Sequence, residues 1–186
     1  MIRRGLGKMK SLVARLVEYD GTIVSYLNRQ WKCQLFDVLM PRLTHLGGAT
    51  ATLTFLICWL IFSGAESRMW AVEGLIALAG SHLAVVLIKK YLPRLRPYLK
   101  ISELNTFPNP LTDFSFPSGH STAIFSVTAT FILHEAFLFY IFFPIACLVA
   151  FSRMYLALHY PSDVLIGSCL GSGFAALTVY GSHILL

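Results

Sequence analysis

Apolar residues in this chain are gathered into five stretches, at residues 49–62, 71–88, 121–133, 137–151 and 164–185, with most charged residues set between them. Each stretch is near the ~20 residues that a helix needs to cross the hydrocarbon of a bilayer. This layout predicts an all-α fold, a polytopic membrane helix bundle of about five spans, or six if the N-terminal region forms another. Composition agrees: 56% of residues are apolar and 13% are charged, against about 25% charged in a soluble domain. The chain reads as one membrane domain over 1–186. Residues 1–45 form an interfacial N-terminal region and 46–186 the transmembrane bundle.

In the N-terminal region, Leu6, Met9, Val13, Leu16 and Val17 recur at helical spacing, with Lys8, Lys10 and Arg15 between them. That pattern suits a helix lying in the membrane interface, and no continuous apolar run follows the basic residues as in a cleaved signal peptide. Pro41 and Gly47-Gly48 mark a bend before the first span. The connections at 63–70 and 134–136 are short and predict antiparallel neighbours. Residues 89–119 form the one long loop, rich in proline (Pro93, Pro97, Pro108, Pro110, Pro117), and long ordered loops tend to be functional. Gly167 and Gly171, four apart in the last span, favour close helix packing. Cys33, Cys58, Cys147 and Cys169 show no CxxC or Cys/His ligand spacing, which argues against a disulfide framework or zinc site.

The formal charge is +6, and its distribution decides what it serves. With five crossings, the basic residues of 1–45, those of 89–119 and Arg153 share one face, leaving Arg68 alone on the other. The positive-inside rule puts the richer face in the cytoplasm. Basic residues lying against a bilayer do not suit a nucleic-acid partner.

Three segments converge on that face: "KKYLPRLRP" after the second span, "FPSGH" at the start of the third, and "SRMYLALHYPSD" between the fourth and fifth. Lys89, Arg96 and Arg153 bring three cations, and His120 and His159 bring groups that titrate near neutrality. Three cations around one point suit a phosphoryl group, whose oxygens carry charge throughout its transfer. Ser118 and Gly119 at a helix N-terminus, after Pro117 in its first turn, make an anion cradle from amide donors and the helix dipole. Asp163, four residues after His159, is spaced to bind one ring nitrogen and leave the other free to attack phosphorus. His120 is then the proton donor to the departing oxygen. The residues alone do not rank this histidine attack above metal-assisted hydrolysis.

Lys89 with Arg96-Pro97, then Pro117-Ser118-Gly119-His120, then Ser152-Arg153 with His159 and Asp163 resemble the three-part signature of the type-2 phosphatidic acid phosphatase superfamily. The motifs span residues 89–163. The resemblance implies that Lys89, Arg96 and Arg153 bind phosphate, that Ser118 and Gly119 complete the cradle, and that His159 becomes phosphorylated. It further implies that Asp163 orients His159, that His120 is the general acid, and that no metal or other cofactor takes part. The substrate implied is a lipid phosphate or pyrophosphate, with undecaprenyl pyrophosphate, phosphatidylglycerophosphate and phosphatidic acid as the choices. Many bacterial members have six spans, where this chain keeps a basic interfacial helix instead. Their lipid-recycling role implies a site on the outer face, against the charge bias.

Two other readings compete. A lipid phosphotransferase would use the same phosphohistidine, and an anion transporter would place ionisable residues near the midplane, often with inverted repeats. The partners expected are the lipid substrate and membrane lipids, with no sequence signal for an oligomeric state. Outside the motifs, His82, on the same span as Glu73, reads as hydrogen-bonded to another helix, and His45, His134 and His183 read as interface residues. Lys90, Arg94 and Lys100 read as lipid-headgroup contacts, and Tyr155 and Tyr160 as part of an aromatic belt.

Overall fold

A computed structural model describes residues 2–106 and 112–185, so Pro108 and Pro110 of the proline-rich loop lie outside the described residues. Among the described residues eight α-helices follow one another: α1 (Ile2–Gln30), α2 (Gln34–Leu43), α3 (Ala49–Phe62), α4 (Ala65–Tyr91), the single turn α5 (Pro97–Lys100), α6 (Gly119–His134), α7 (Phe139–Tyr155) and α8 (Pro161–Leu185). Short 3-10 turns occupy Thr44–Gly47 and Ala136–Leu138. Among the described residues there is no strand.

Among the described residues, three segments are long and apolar enough to cross a membrane by length and composition, Ser67–Tyr91, Ala136–Tyr155 and Pro161–Ile184. A fourth results if Gln34–Gly47 and Ala49–Phe62, bent by 56°, count as one span. The expected spans at 49–62 and 121–133 are the shorter helices α3 and α6, of 14 and 16 residues. Helix α6 is the axis of the bundle, packed by α4, α7 and α8. Its Ser121, Ser126 and Thr130 are all buried, and Ser126 and Thr130 return their hydroxyls to carbonyls of their own helix.

Gly167 and Gly171 let α8 lie directly on α6. A Cβ at 167 would sit 2.7 Å from the carbonyl oxygen of Ser118, and one at 171 would overlap that of Thr122. Leu83, Leu165 and Leu177 point outward, as side chains facing lipid would. Far from the basic end, Phe131 is fully buried among Phe55, Trp59 and Trp70. There Glu73 pairs with His134 and accepts from Ser182 Oγ (2.5 Å), tying α4, α6 and α8. The interhelical hydrogen bond expected of His82 is not found among the described residues, where its side chain is exposed, and His134, expected at the interface, is instead paired with Glu73.

The single helix α1 covers the expected amphipathic segment, although the side chains of Leu6, Met9 and Val13 lie outside the described ones. Its C-terminal half docks on the bundle. Asn28 is buried and donates to the carbonyls of Tyr155 (2.8 Å) and Asn105 (3.1 Å), while Val24 packs with Leu104, Ala157 and Tyr160. A buried amide side chain whose donors and acceptor are all used fixes this docking more sharply than apolar contact alone.

Candidate active site

Every residue anticipated from the three motifs lies at one end of the bundle. Lys89 stands on the last turn of α4, Arg96 on the following loop, Ser118 to His120 at the start of α6, Arg153 on the last turn of α7, His159 on the α7–α8 loop and Asp163 in the first turn of α8. A cavity of about 820 Å³ gathers Lys89, Arg96, Gly119, His120, Arg153 and His159 at its polar end. It continues between α3 and α4 along apolar residues such as Leu53, Leu78 and Val86.

Local structure explains why His159 faces this cavity. Helix α7 stops at Tyr155, and Ala157 takes φ 54°, a left-handed turn unusual for a residue with a Cβ. The chain doubles back so that the amides of Leu158 and His159 both donate to the carbonyl of Arg153 (3.0 and 3.2 Å). His159 is then 1% exposed.

The neighbours of its ring fix the tautomer. Nδ1 lies 2.7 Å from the carbonyl oxygen of Ser115, which can only accept, so Nδ1 carries the hydrogen. Nε2 lies 3.1 Å from Nη1 of Arg96, which can only donate, so Nε2 presents a lone pair. Burial first, then the charges of Arg153 and Arg96, push the pKa of His159 down to about 3. The ring is neutral at physiological pH, with its basic nitrogen turned to the cations.

Asp163 does not bind this ring directly, since its Oδ2 is 3.8 Å from Nδ1. Fully buried, it accepts from the hydroxyl of Ser115 and the amide of Tyr160 (2.9 Å), and so reaches His159 only through Ser115, whose carbonyl meets Nδ1. Arg94 donates to its other oxygen (2.6 Å) and also to Ser162 Oγ (2.8 Å) and Asp20 Oδ2 (2.7 Å). The headgroup contact expected of Arg94 is thereby corrected: it locks α1 to α8, stacked 3.9 Å over the ring of Tyr160. Its pKa is raised, because the Asp20 and Asp163 carboxylates outweigh burial. Tyr155 and Tyr160 are buried as well, at 1% and 3% exposure, so neither belongs to an exposed aromatic belt. The hydroxyl of Tyr155 donates to Asp37 (2.7 Å).

Arg153 is 2% exposed, and only Nη1 is engaged, donating to Thr44 Oγ1 (2.7 Å). Its Nε and Nη2 are buried with no hydrogen-bond partner among the described residues. Such orphaned cationic donors are costly to bury, and a ligand anion would satisfy both.

Ser118 behaves differently from the other anticipated phosphate contacts. It caps α6, accepting from the amide of Ser121 (3.3 Å), and its own amide donates to the carbonyl of Asp163 (3.0 Å). Pro117 accordingly precedes the cap, and Gly119 is the first helical residue. The amides of Gly119 and His120 belong to the first turn, where no helical acceptor exists. The His120 ring lines the cavity without a hydrogen-bond partner among the described residues, close to Gly48.

Sequence reasoning missed four contributors: Asp113, Ser115, Thr44 and Asp20. Asp113 receives both Lys89 Nζ and Arg96 Nη2 (2.5 Å) on its carboxylate, and Arg96 Nε on its carbonyl (2.8 Å). Burial would raise its pKa, but the bond from Lys89 and the charge of Arg96 bring it down to about 2.

A sequence model described as the PAP2 superfamily matches residues 70–184. The chain is 31% identical over 154 residues to phosphatidylglycerophosphatase B of Bacillus subtilis, covering 72% of this chain and 68% of that protein. It is 35% identical over 101 residues to an undecaprenyl-diphosphatase of Sulfolobus acidocaldarius, covering 52% of this chain but only 49%, about half, of the relative. The solved structure of a PAP2 type phosphatidylglycerolphosphate phosphatase from Bacillus subtilis superposes with a TM-score of 0.79, at 24% identity, over 92% of this chain and 88% of the other. At that identity the superposition shows a shared fold.

Proposed function

Since the chain belongs to the PAP2 superfamily, we propose that it is a metal-independent membrane phosphatase that removes phosphate from a lipid phosphate or lipid pyrophosphate through a phosphohistidine. The observation that carries this reading is the pairing of a neutral, tautomerically fixed His159 with the two unpartnered buried donors of Arg153. One provides an in-line nucleophile and the other a vacant place for phosphoryl oxygens.

In this mechanism Arg153, Arg96, Lys89 and the amides of Gly119 and His120 hold the phosphoryl oxygens. Ser118 keeps the turn of those amides in shape. The Nε2 lone pair attacks phosphorus, the bond to the lipid oxygen breaks, and His120, which takes up a proton as the bound phosphate's negative charge offsets the cations around it, gives that oxygen its proton. His120, now neutral, takes a proton from water as the water oxygen attacks the phosphohistidine. The P–N bond breaks, Nε2 recovers its lone pair, and inorganic phosphate leaves. Asp163, through Ser115, keeps Nδ1–H directed away from the reacting atom.

A lipid substrate is favoured by the apolar continuation of the cavity between α3 and α4, which offers the tail a place beside the seat. The choice among undecaprenyl pyrophosphate, phosphatidylglycerophosphate and phosphatidic acid is made by experiment. The purified protein is assayed for phosphate release on each lipid in mixed micelles, beside His159→Ala. Release from at least one lipid, lost in the variant, is expected. Turnover by His159→Ala at the wild-type rate would sink the mechanism, and release only with an added acceptor lipid would make the protein a phosphotransferase.

We further propose a multi-pass location in the cell membrane with residues 1–45 in the interface and the site at the cytoplasmic surface, from the charge bias. A reporter fused after Leu186, on the opposite face, should then give an extracytoplasmic signal. A cytoplasmic signal would put the site outside, as the family resemblance implies.

A further inference from the structure

We propose that the Asp113 carboxylate is a built-in competitor for the phosphate seat, occupying donors of Lys89 and Arg96 in the free protein and swinging aside when a phosphoryl group arrives. The inference rests on the phosphatase reading above and adds a residue that limits how tightly the site holds phosphate.

The donors of Arg96 make the case. A guanidinium has five N–H groups. Nε is given to the Asp113 carbonyl (2.8 Å), and Nη1 is divided between the Leu158 carbonyl (2.8 Å) and His159 Nε2 (3.1 Å). Only Nη2 remains for a ligand, and the Asp113 carboxylate sits on it at 2.5 Å while its other oxygen takes the ammonium of Lys89. A substrate oxyanion therefore meets a carboxylate already bound to two of its three cations. The third cation, Arg153, keeps its two orphaned donors. The seat is half filled by the protein's own anion and half vacant.

The same contacts show that the carboxylate can leave. Its side chain is 53% exposed, against 18% for Lys89 and 1% for Arg96, so it alone of the three has room to rotate. Arg96 does not lose its position when this happens, because the main-chain carbonyls of Asp113 and Leu158 still hold Nε and Nη1. A seated-to-open ratio of about ten lowers the apparent affinity for any oxyanion about tenfold. The product, inorganic phosphate, has no lipid tail to offset that loss. The returning carboxylate thus favours its release.

The test is calorimetric titration of inorganic phosphate into the purified, detergent-solubilised protein and its Asp113→Asn and Asp113→Ala variants. Glu103→Gln, an exposed carboxylate paired with Arg29, serves as a control. The Kd for phosphate should fall roughly tenfold in both Asp113 variants and stay unchanged in the control. Unchanged or weaker binding in variants that melt like the wild type overturns the proposal and makes Asp113 a positioning residue only. Carboxyl footprinting of the wild type provides a check that needs no substitution: labelling of Asp113 should rise on saturation with phosphate, and constant labelling overturns the proposal equally. Neither readout requires turnover. Phosphate binding by the wild type with no gain in the variants rejects this inference alone, whereas no phosphate binding by any form, together with no lipid turnover, rejects the proposed function.

Discussion

Nε2 of His159 lies 3.1 Å from Nη1 of Arg96, and the contact demands a lone pair on the histidine because the guanidinium can only donate. The ring is held neutral by the same surroundings, at a pKa of about 3. An unfolded histidine titrates near 6.5, so between these values the unfolded chain binds one more proton than the folded one. The stability this residue contributes is complete above pH 6.5 and is lost as pH falls toward 3. At pH 4.5 the loss is on the order of 2 to 3 kcal/mol. Melting temperature in detergent should therefore fall more steeply between pH 7 and 4.5 for the wild type than for His159→Gln. Equal slopes would show that the ring is not buried in its neutral form.

Arg153 carries two buried donors without partners, a cost that substrate removes. Arg153→Met should abolish phosphate release yet raise the melting temperature of the ligand-free protein by a few degrees, as stability regained from a functional site. Vanadate should stabilise the wild type and leave the variant unmoved. A lower melting temperature for Arg153→Met would mean that the bond to Thr44 outweighs the orphaned donors.

Arg94 joins Asp20 of α1 to Asp163 of α8, and both carboxylates are buried. Removing one partner of a buried pair costs about 3 to 5 kcal/mol, because the other charge stays behind. Arg94→Ala should accordingly lower thermal stability sharply and reduce activity, while Lys100→Ala, at an exposed position, should change stability by less than about 0.5 kcal/mol. Similar melting curves for the two variants would count against the lock.

Ser115 and Asp163 act on His159 as one unit, the carboxylate on the hydroxyl and the main chain on Nδ1. Ser115→Ala should lower kcat by roughly tenfold and Asp163→Asn by about a hundredfold. The double variant should be little worse than Asp163→Asn, since residues sharing one network are not additive. Fully multiplicative losses, read from kcat at saturating lipid, would show two independent contributions.

The helical architecture and the meeting of the three motifs were legible in the sequence, because span length and motif order are local properties. Asp113 and Thr44 were not. Each lies in a stretch without periodicity, and their importance comes only from contacts across long chain separations, to Lys89 and Arg96 for one and to Arg153 for the other. Arg94 was misread for a related reason: a lone arginine beside a span resembles a headgroup anchor until Asp20, in a distant helix, is brought against it. Asp163 was expected at His159 by helical spacing, but α8 begins only at Pro161, so His159 stands outside the helical register and its Nδ1 meets the Ser115 carbonyl instead.

The glycines that seat α8 on α6 mark which part of the molecule tolerates a change of side chain. At positions 167 and 171 a single added methyl group meets the backbone that carries Ser118 and Thr122, so a side chain there would push apart α8 and the start of α6. The apolar walls contributed by α3 and α4, including Leu53, Leu78 and Val86, line the cavity that also holds Lys89, Arg96, Arg153 and His159. Under the phosphatase proposed above, a change in that wall would alter which lipid fits, whereas a side chain at either glycine would displace the helix that presents the phosphate seat.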